Sequence, residues 1–388
     1  MPTREPVLII GAGLGGLTAA IALARQGIAA EVFEAASRLA ESGAGLTLGR
    51  GAQQVFRDLG IQSAVAACAC PAGALPFVHY RTARLLTGAS DNGDGRPDDG
   101  EADIVRHCYR ADLQAVLLAE AVRRGVAVHT GHRLVALADD GQHVTAHFAN
   151  GASAAGRAMI GADGVRSAVR ALLWPGDAPR YTNHLAYRFL VPASQAAPHM
   201  ALGRSAIFIG PQRTFNRYTM SGGAVVNCAG LVETGEVVAE SWSLGAARSE
   251  VADAFAGWHP DVLGLVEHAG PIVKWGLYDR APLARWTRGR VTLLGDAAHA
   301  MLPFLGMGAA MAIEDGWALA RAFTLEPDVT AALTRYEAAR KPRTELLQAM
   351  SKRQGEVTQA LDPDSFEPAT APLGDSEVMG FDPVAAGI

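Results

Sequence analysis

The sequence predicts an α/β protein: a Rossmann-like nucleotide-binding domain with an inserted, mostly antiparallel β-sheet and a C-terminal helix. Three observations predict it. Val7–Glu34 (VLIIGAGLGGLTAAIALARQGIAAEVFE) reads as strand, glycine turn, helix and second strand in one run. Two further glycine turns follow short apolar stretches, at Gly161–Arg170 (GADGVRSAVR) and Gly295–Ala320 (GDAAHAMLPFLGMGAAMAIEDGWALA). Between them, from Tyr181 to about Trp242, the texture changes to short alternating segments. The boundaries that follow are 1–73, 100–178 and 268–328 for the nucleotide-binding domain and 74–99 with 179–267 for the inserted sheet. Residues 329–360 form the terminal helix and 361–388 an irregular tail.

Val7–Ile10 is too apolar for an exposed strand, so it belongs inside a parallel sheet covered on both faces. In the turn, Gly11 allows the tight reversal, Gly13 lets backbone N–H groups approach a pyrophosphate, and Gly16 lets the helix pack close to the strand. The helix opening at Leu14 presents a partial positive charge to an anion. Leu17, Ala20, Ile21 and Ala24 recur at helical spacing, Gly27 stops the helix, and the strand Ile28–Phe33 leads to Glu34 and Ala35. The Glu34 carboxylate stands where it accepts from both ribose hydroxyls and disfavours a 2′-phosphate, so the nucleotide is FAD or NAD rather than NADP.

A chain of 388 residues suffices for a large core, and 49% hydrophobic with 19% charged residues describes an ordinary globular protein. The net charge of −5 speaks against nucleic acid as a partner. Only Met1–Pro6 precede the first strand, which leaves no room for a signal peptide, and no window reaches the ~18 uncharged apolar residues of a membrane span. Cys68, Cys70, Cys108 and Cys228 have neither metal nor redox spacing and read as reduced thiols of a cytoplasmic protein.

Along the chain, Gly43–Gly49 is a glycine-rich return beside the nucleotide turn, followed by a short helix around Ala52–Leu59. Gly88–Asp103 is the most polar stretch; its spacing does not fit a calcium loop, and it reads as a mobile surface loop. Tyr109–Ala121 is helical, and Arg110 in its first turn opposes the helix dipole, so it calls for an anionic partner unless it is simply solvated. Val126–His129, Leu134–Ala138 and Val144–Phe148 read as strands, the last two joined by a hairpin at Asp140–Gly141. Asp163–Gly164 precedes a helix and offers further N–H groups to the same diphosphate. Leu185–Val191, Ala206–Ile209, Arg217–Met220 and Val225–Leu231 are the strands of the inserted sheet. The terminal helix runs from about Val329 to Ala360 with a kink at Pro342.

The third turn narrows the nucleotide. Asp296 ends the buried strand Arg290–Leu294 and is placed to accept from a polyol hydroxyl, and Pro303 with Gly306–Gly308 opens a helix running to about Phe323. An open helix N-terminus stabilises negative charge, and a reduced isoalloxazine is anionic at its N1/O2 edge, which favours a flavin over nicotinamide. FAD is also long enough to reach strand ends so far apart in the chain. His299 reads first as a structural or capping histidine and second as a catalytic one.

Together these motifs resemble the single-component FAD-dependent aromatic hydroxylases, a family of flavoprotein monooxygenases, and within it the salicylate and 3-hydroxybenzoate hydroxylase group. The resemblance runs from about Val7 to about Met350, on GAGLGG with Glu34, YRADL, GADGVRS and LLGDAAHAMLPFLGMGA. Between these, Gly210–Pro211, Tyr218, Gly222–Gly223, Val226–Asn227, Glu240–Trp242, Gly257–Asp261 and Leu277–Arg280 also resemble that group. It implies non-covalent FAD held by Gly13, Glu34, Arg110, Asp163, Asp296 and the Gly306–Ala309 backbone, with Pro303 beside the flavin ring near the substrate. Gly11, Leu14, Gly16, Ala35, Leu134, Gly308 and Ala309 are expected at the same cofactor site, and no metal is. The chain departs from related sequences at Met307 and Ala310, where Gln and Asn are often found, and at Thr47, where some relatives carry His.

The mechanism implied is reduction of FAD by NADH or NADPH, addition of O2 to make a flavin hydroperoxide, and oxygen transfer to an electron-rich ring. The substrate is then a small phenolic or N-heteroaromatic compound, an aromatic acid in the first instance, and the enzyme a monomer or homodimer. Ring activation needs a base or hydrogen-bond acceptor near the phenol. Tyr187, His199 and Tyr218 are the candidates, Tyr218 being best placed by motif. Arg188 suits a substrate carboxylate, but an alternating strand turns Tyr187 and Arg188 to opposite faces, so at most one points inward. Met301, Leu302, Phe304, Leu305 and Met307 supply an apolar lining beside Pro303, or else an ordinary core stripe. A flavin halogenase lacks its WxWxIP element here and a Baeyer–Villiger enzyme its second GxGxxG. A flavin-dependent reductase or oxidase without oxygen insertion and a flavin-binding sensor are the alternatives, since fold alone does not assign function.

Overall fold

The computed structural model describes residues 5–39, 45–73, 75–86, 105–237, 244–367 and 380–388. Val7–Ile10, buried throughout, lies in the middle of a parallel sheet of five strands in the order Val291–Leu293, Ala158–Gly161, Val7–Ile10, Ala30–Phe33, Ala127–His129. The chain builds outward on one side of Val7–Ile10 and later returns to build on the other. The order therefore reverses at the C-terminal end of this strand, the switch point where doubly wound sheets bind ligands. Ala127–His129 belongs to this sheet, whereas Leu134–Asp139 and Val144–Phe148 pair with each other across the expected hairpin.

The helix Leu14–Arg25 packs against Gly308–Leu325. A Cβ on Gly15 would lie 3.1 Å from Ala312, and one on Gly316 would lie 2.6 Å from the Ala19 nitrogen. These two contacts advance together along both helices, so the helices run side by side in the same direction. Their N-termini consequently open at the same end of the sheet, which joins two turns distant in sequence.

The inserted sheet has six strands, in the order Val273–Asp279, Arg180–Pro192, Val225–Glu233, Arg213–Met220, Ser205–Gly210, Phe77–His79. Every pairing is antiparallel except that of Phe77–His79 with Ser205–Gly210. Val273–Asp279 corrects the boundary at 268: it pairs along Arg180–Pro192 instead of joining the nucleotide-binding sheet. That ladder joins segments far apart in the chain and leaves no mark in the local pattern.

The two faces of this sheet are covered differently. Tyr187, Phe189, Phe208, Phe215 and Cys228 pack on Val251, Phe255, Trp258 and Leu265 of the helical segment 248–267. Ala186, Leu231, Trp275 and Leu277 pack instead on Phe304. A smaller sheet of Gly45–Leu48, Arg106–Tyr109 and Ala69–Pro71 carries the glycine-rich return.

Val329–Thr358 is one continuous helix with Pro342 in its interior. It ties down the chain before and within the Pro303 turn: Gln348 Nε2 donates to the Ala300 carbonyl (2.9 Å) and Ser351 Oγ to the Leu302 carbonyl (2.5 Å). Its buried Arg340 donates to Asp315 (2.7 Å) and Glu314 (2.9 Å), and Asp315 also meets His299 Nε2 at 2.6 Å. Burial works to raise the Asp315 carboxyl, yet His299 and Arg340 hold it down to about 2. His299 is thereby a structural histidine. In the tail, Phe366 packs on Phe77 at 5.3 Å and Pro383–Ala386 is a short helix. The expected loop Gly88–Asp103 and the Glu240–Trp242 motif lie outside the described residues. No described helix is long and apolar enough to cross a membrane.

Candidate active site

The cradle for a dinucleotide is built from backbone. Gly11 has φ +108°, a Cβ on it would run into the Ala162 carbonyl, and one on Gly16 would run into the Gly11 carbonyl. A Cβ on Gly13 would meet nothing within 4 Å, so this glycine borders open space. The helices opening at Leu14 and Gly308 have neither a side-chain cap nor an acid in the first turn. Two sets of unpaired N–H groups therefore face the same end of the fold, and this fits a long ligand with an anion at each set.

Polar side chains surround this cradle. Glu34 accepts from the Ala12 amide (2.9 Å) and the Ala36 amide (2.8 Å), which fixes its carboxylate beside the first turn, next to exposed Ala35. Asp296 follows Gly295 (φ +62°), is exposed, and makes no hydrogen bond or ion pair among the described residues. Its Oδ1 lies 3.9 Å from where a Cβ on Gly308 would sit. Arg110 begins the helix Arg110–Arg123, half-buried, and no described carboxylate lies within salt-bridge distance of it. The Pro303–Leu305 turn, Gly306 (φ +67°) and half-buried Ala309 complete this side.

Two expected cofactor residues are placed differently. Asp163 accepts from Ser167 Oγ (2.5 Å) and the amides of Ala168 (2.7 Å) and Val169 (3.2 Å), so its carboxylate serves its own helix Ala168–Leu173. Burial raises this carboxyl. Leu134 is buried in the main core at the start of its strand, and only its backbone is open to another role.

Opposite the cradle stands the inserted sheet. Its register places Arg188 across from Ala229, and Tyr218 across from both Asn227 and Ser205. These residues share the face that packs on Phe304. Arg188 lies over the Trp275 ring (4.8 Å), its Nε is shielded from solvent without a partner, and no described acid pairs with it. Burial draws its guanidinium below the ordinary value and Arg110 adds repulsion. Burial pushes the Tyr218 hydroxyl up to about 12, so it keeps its proton. Asn227 Oδ1 accepts from the Gly45 amide (3.1 Å), which docks the glycine-rich return onto this wall. Thr47 on that return stands 3.6 Å, measured at Oγ1, from where a Cβ on Gly306 would lie.

Tyr187 and His199 are corrected: neither stands on this wall. Tyr187 points to the other face, where its hydroxyl donates to Glu250 Oε1 (2.9 Å). His199 sits in the turn Ala197–His199 against Gly264 and 3.8 Å from Asp261, again on the far face. Of the three candidates only Tyr218 faces the cradle. The apolar lining divides too: Leu305 and Met307 are in the main core, while Phe304 borders a cleft of about 570 Å³ shared with Leu302, His184, Lys352 and Gln359. His107 and Ser205 carry no motif, and Asn227 only the Val226–Asn227 pair; nothing local marks the three as site residues, because they come together only through strand pairing. All four cysteines are free, and Cys68 and Cys108 lie 3.7 Å apart at sulfur, a proximity their spacing conceals.

Comparison with known proteins agrees with this geometry. The family profile of the FAD binding domain matches residues 4–351. The chain is 34% identical over 359 residues to a 3-amino-4-hydroxybenzoate 2-monooxygenase of Streptomyces platensis, covering 91% of this chain and 88% of that protein. It is 33% identical over 363 residues to the 3-hydroxybenzoate 6-hydroxylase of Polaromonas naphthalenivorans, covering 92% and 89%. Among solved structures, Klebsiella pneumoniae HpxO complexed with FAD and uric acid superposes with a TM-score of 0.81 at 25% identity, covering 100% of this chain and 95% of that one. With its paired helix N-termini, its free Asp296 and these relatives along almost its whole length, the chain belongs to the FAD-dependent aromatic hydroxylases, the flavoprotein monooxygenases.

Proposed function

We propose that the protein hydroxylates a small aromatic acid bearing a ring hydroxyl, with NADH or NADPH as reductant and O2 as oxygen source. Arg188 carries this reading. A half-buried cation with a shielded Nε and no acid beside it among the described residues is costly unless a ligand supplies the anion. It stands on the wall facing the cradle, and a carboxylate matches its fork. The 3-amino-4-hydroxybenzoate and 3-hydroxybenzoate named for the relatives are both hydroxylated aromatic acids.

FAD, when bound, supplies the electron storage and the activation of O2. The chain's own residues bind and orient. Gly11, Gly13, Leu14 and Gly16 would offer amides to the diphosphate, Glu34 and Ala35 would flank the adenosine ribose, and Asp296 would accept from the ribityl chain. Arg110 and the Gly306, Gly308 and Ala309 backbone adjoin the isoalloxazine end. Arg188 anchors the substrate carboxylate, neutral Tyr218 donates to the ring or its substituent, and Pro303 with Phe304 keeps water from the reacting face. Four free thiols suit a cytoplasmic enzyme.

The test is NAD(P)H oxidation with a panel of hydroxylated benzoates and pyridine carboxylates, with products identified by mass. The expected result is one oxygen atom added to the ring of at least one acid. NAD(P)H consumption with a reduced or dehydrogenated product would establish the reductase or oxidase alternative, and FAD binding with no turnover of any compound would favour a sensor.

A further inference from the structure

Thr47, His107 and Ser205 form a hydrogen-bonded line that ends at half-buried Thr47, beside the Gly306 turn. Thr47 Oγ1 is 3.2 Å from His107 Nδ1, His107 Nε2 is 3.1 Å from Ser205 Oγ, and Ser205 Oγ donates to the Ala72 carbonyl at 2.8 Å. The direction of the line follows from its buried end. A carbonyl only accepts, so the single hydroxyl hydrogen of Ser205 is used on Ala72 and its oxygen must accept from His107. Nε2 therefore carries the ring hydrogen and Nδ1 is bare. The bare nitrogen accepts from Thr47, whose own hydrogen is then used, leaving the Thr47 oxygen able only to accept from a further partner.

Three observations keep this line in one state. His107 is 2% exposed, and burial pulls its imidazole down to about 4, so it stays neutral. Its ring is held against Tyr218 at 4.1 Å. Its strand pairs residue for residue with Gly45–Leu48, Thr47 lying opposite His107. Gly45, Thr47 and Gly49 share one side of the return, and Cβ atoms on Gly45 and Gly49 would approach Tyr218 and Met307 respectively. That side is the one between the substrate wall and the Gly306 turn.

We infer that Thr47 is the acceptor for the ring hydroxyl of the substrate, and that His107 and Ser205 are positioning residues that force it to accept rather than donate. The inference rests on the aromatic-acid reading and adds the second anchor that Arg188 alone does not supply. The proton stays on the substrate oxygen. A hydroxyl that donates to a fixed acceptor becomes more electron-rich, which raises the nucleophilicity of the ring carbons, while an ionised phenolate would meet lone pairs and be disfavoured. The line thus selects a neutral donor, a phenol O–H or a ring N–H.

The test is equilibrium binding to the FAD-loaded enzyme, by calorimetry and by perturbation of the flavin absorbance. The probes are two pairs that differ only in the ring hydroxyl: 3-hydroxybenzoate with benzoate, and 3-amino-4-hydroxybenzoate with 3-aminobenzoate. Wild type is expected to prefer the hydroxylated member of at least one pair by roughly tenfold. Thr47→Val should reduce that preference to near unity while leaving the affinity for the hydroxyl-free member unchanged, and Thr47→Ser should restore it. His107→Phe, which keeps a ring against Tyr218 but removes both nitrogens, should lower the preference although Thr47 is still present. A merely structural role would lower both affinities together. Should His107→Phe fail to fold, Ser205→Ala addresses the same line, because it frees the tautomer and should weaken the preference. A wild type that binds these acids without a hydroxyl preference, or a Thr47→Val variant that keeps it, overturns the inference and leaves the aromatic-acid reading standing. A wild type that binds none of the four overturns both.

Discussion

The imidazole of His107 stacks on the phenol ring of Tyr218, with centroids 4.1 Å apart and planes 25° from parallel. The contact joins the strand Arg106–Tyr109 to the strand Arg213–Met220 of the inserted sheet. The proposed substrate wall is thus made by both parts of the fold, and the acceptor inferred at Thr47 and the donor proposed at Tyr218 are held by the same pair of rings. Cofactor and substrate anchors should accordingly separate in mutagenesis, the former on the cradle and the latter on this wall.

The purified protein should be yellow and release non-covalent FAD on denaturation. Asp296→Ala should weaken FAD binding by about 1.5–3 kcal/mol, the worth of a hydrogen bond to a charged acceptor. Asp296 has no partner among the described residues, so its loss should leave the fold intact. Titration of the apoprotein with FAD checks this, and an unchanged dissociation constant would remove Asp296 from the site.

Arg188→Met should keep the packing on Trp275 and lose the charge. Affinity for aromatic carboxylates should fall roughly 10- to 100-fold, while affinity for the matching amides should change little. Because a partly buried cation without a described partner is unfavourable, the variant should be at least as stable to urea as wild type. Equal losses for acid and amide would show that Arg188 shapes the pocket without binding the anion.

Phe304 fills the space between the open cleft of about 570 Å³ and the apolar patch Ala186, Leu231, Trp275 and Leu277. It also packs so close to Gly355 that a Cβ there would lie 2.6 Å from its ring. Phe304→Ala should admit water from that cleft and convert oxygen transfer into peroxide release, with NAD(P)H consumption largely retained. The measurement is hydrogen peroxide formed per NAD(P)H oxidised with the best substrate. A variant coupled as tightly as wild type would place Phe304 outside the reaction pocket.

Asp315 is the hub of the buried charges that join His299, Arg340 and the Gly295 amide (3.0 Å). Asp315→Asn leaves Arg340 short of a charge partner and should cost about 3–5 kcal/mol in chemical unfolding. The folded carboxyl, at about 2, lies below its unfolded value near ~3.9, so its contribution is fully present above that unfolded value. It is lost as pH falls through about 2. The stability gap between wild type and variant should therefore be flat from neutral pH to about 5 and close only in stronger acid. A gap that closes near pH 6 would mean that another group carries the dependence.

The sequence determined the cofactor cradle because its physics is local. Gly11, Gly13, Gly16 and Glu34 sit in one strand, turn, helix and strand, and each glycine is required by a backbone approach within that unit. The open N-terminus at Gly308 and the alternation that separates Tyr187 from Arg188 were legible for the same reason, since both follow from a single element's period. Only the tertiary structure decided which of that pair shares the face that packs on Phe304. The helical segment 248–267 covers one face of the sheet, so Tyr187 and His199 are taken into its packing and Arg188 and Tyr218 are left to the opposite face. The meeting of Thr47 with His107 and Ser205 lies equally beyond any local pattern. It depends on hydrogen-bond ladders between segments distant in the chain, and their register is set by the burial of the whole core rather than by the residues that meet.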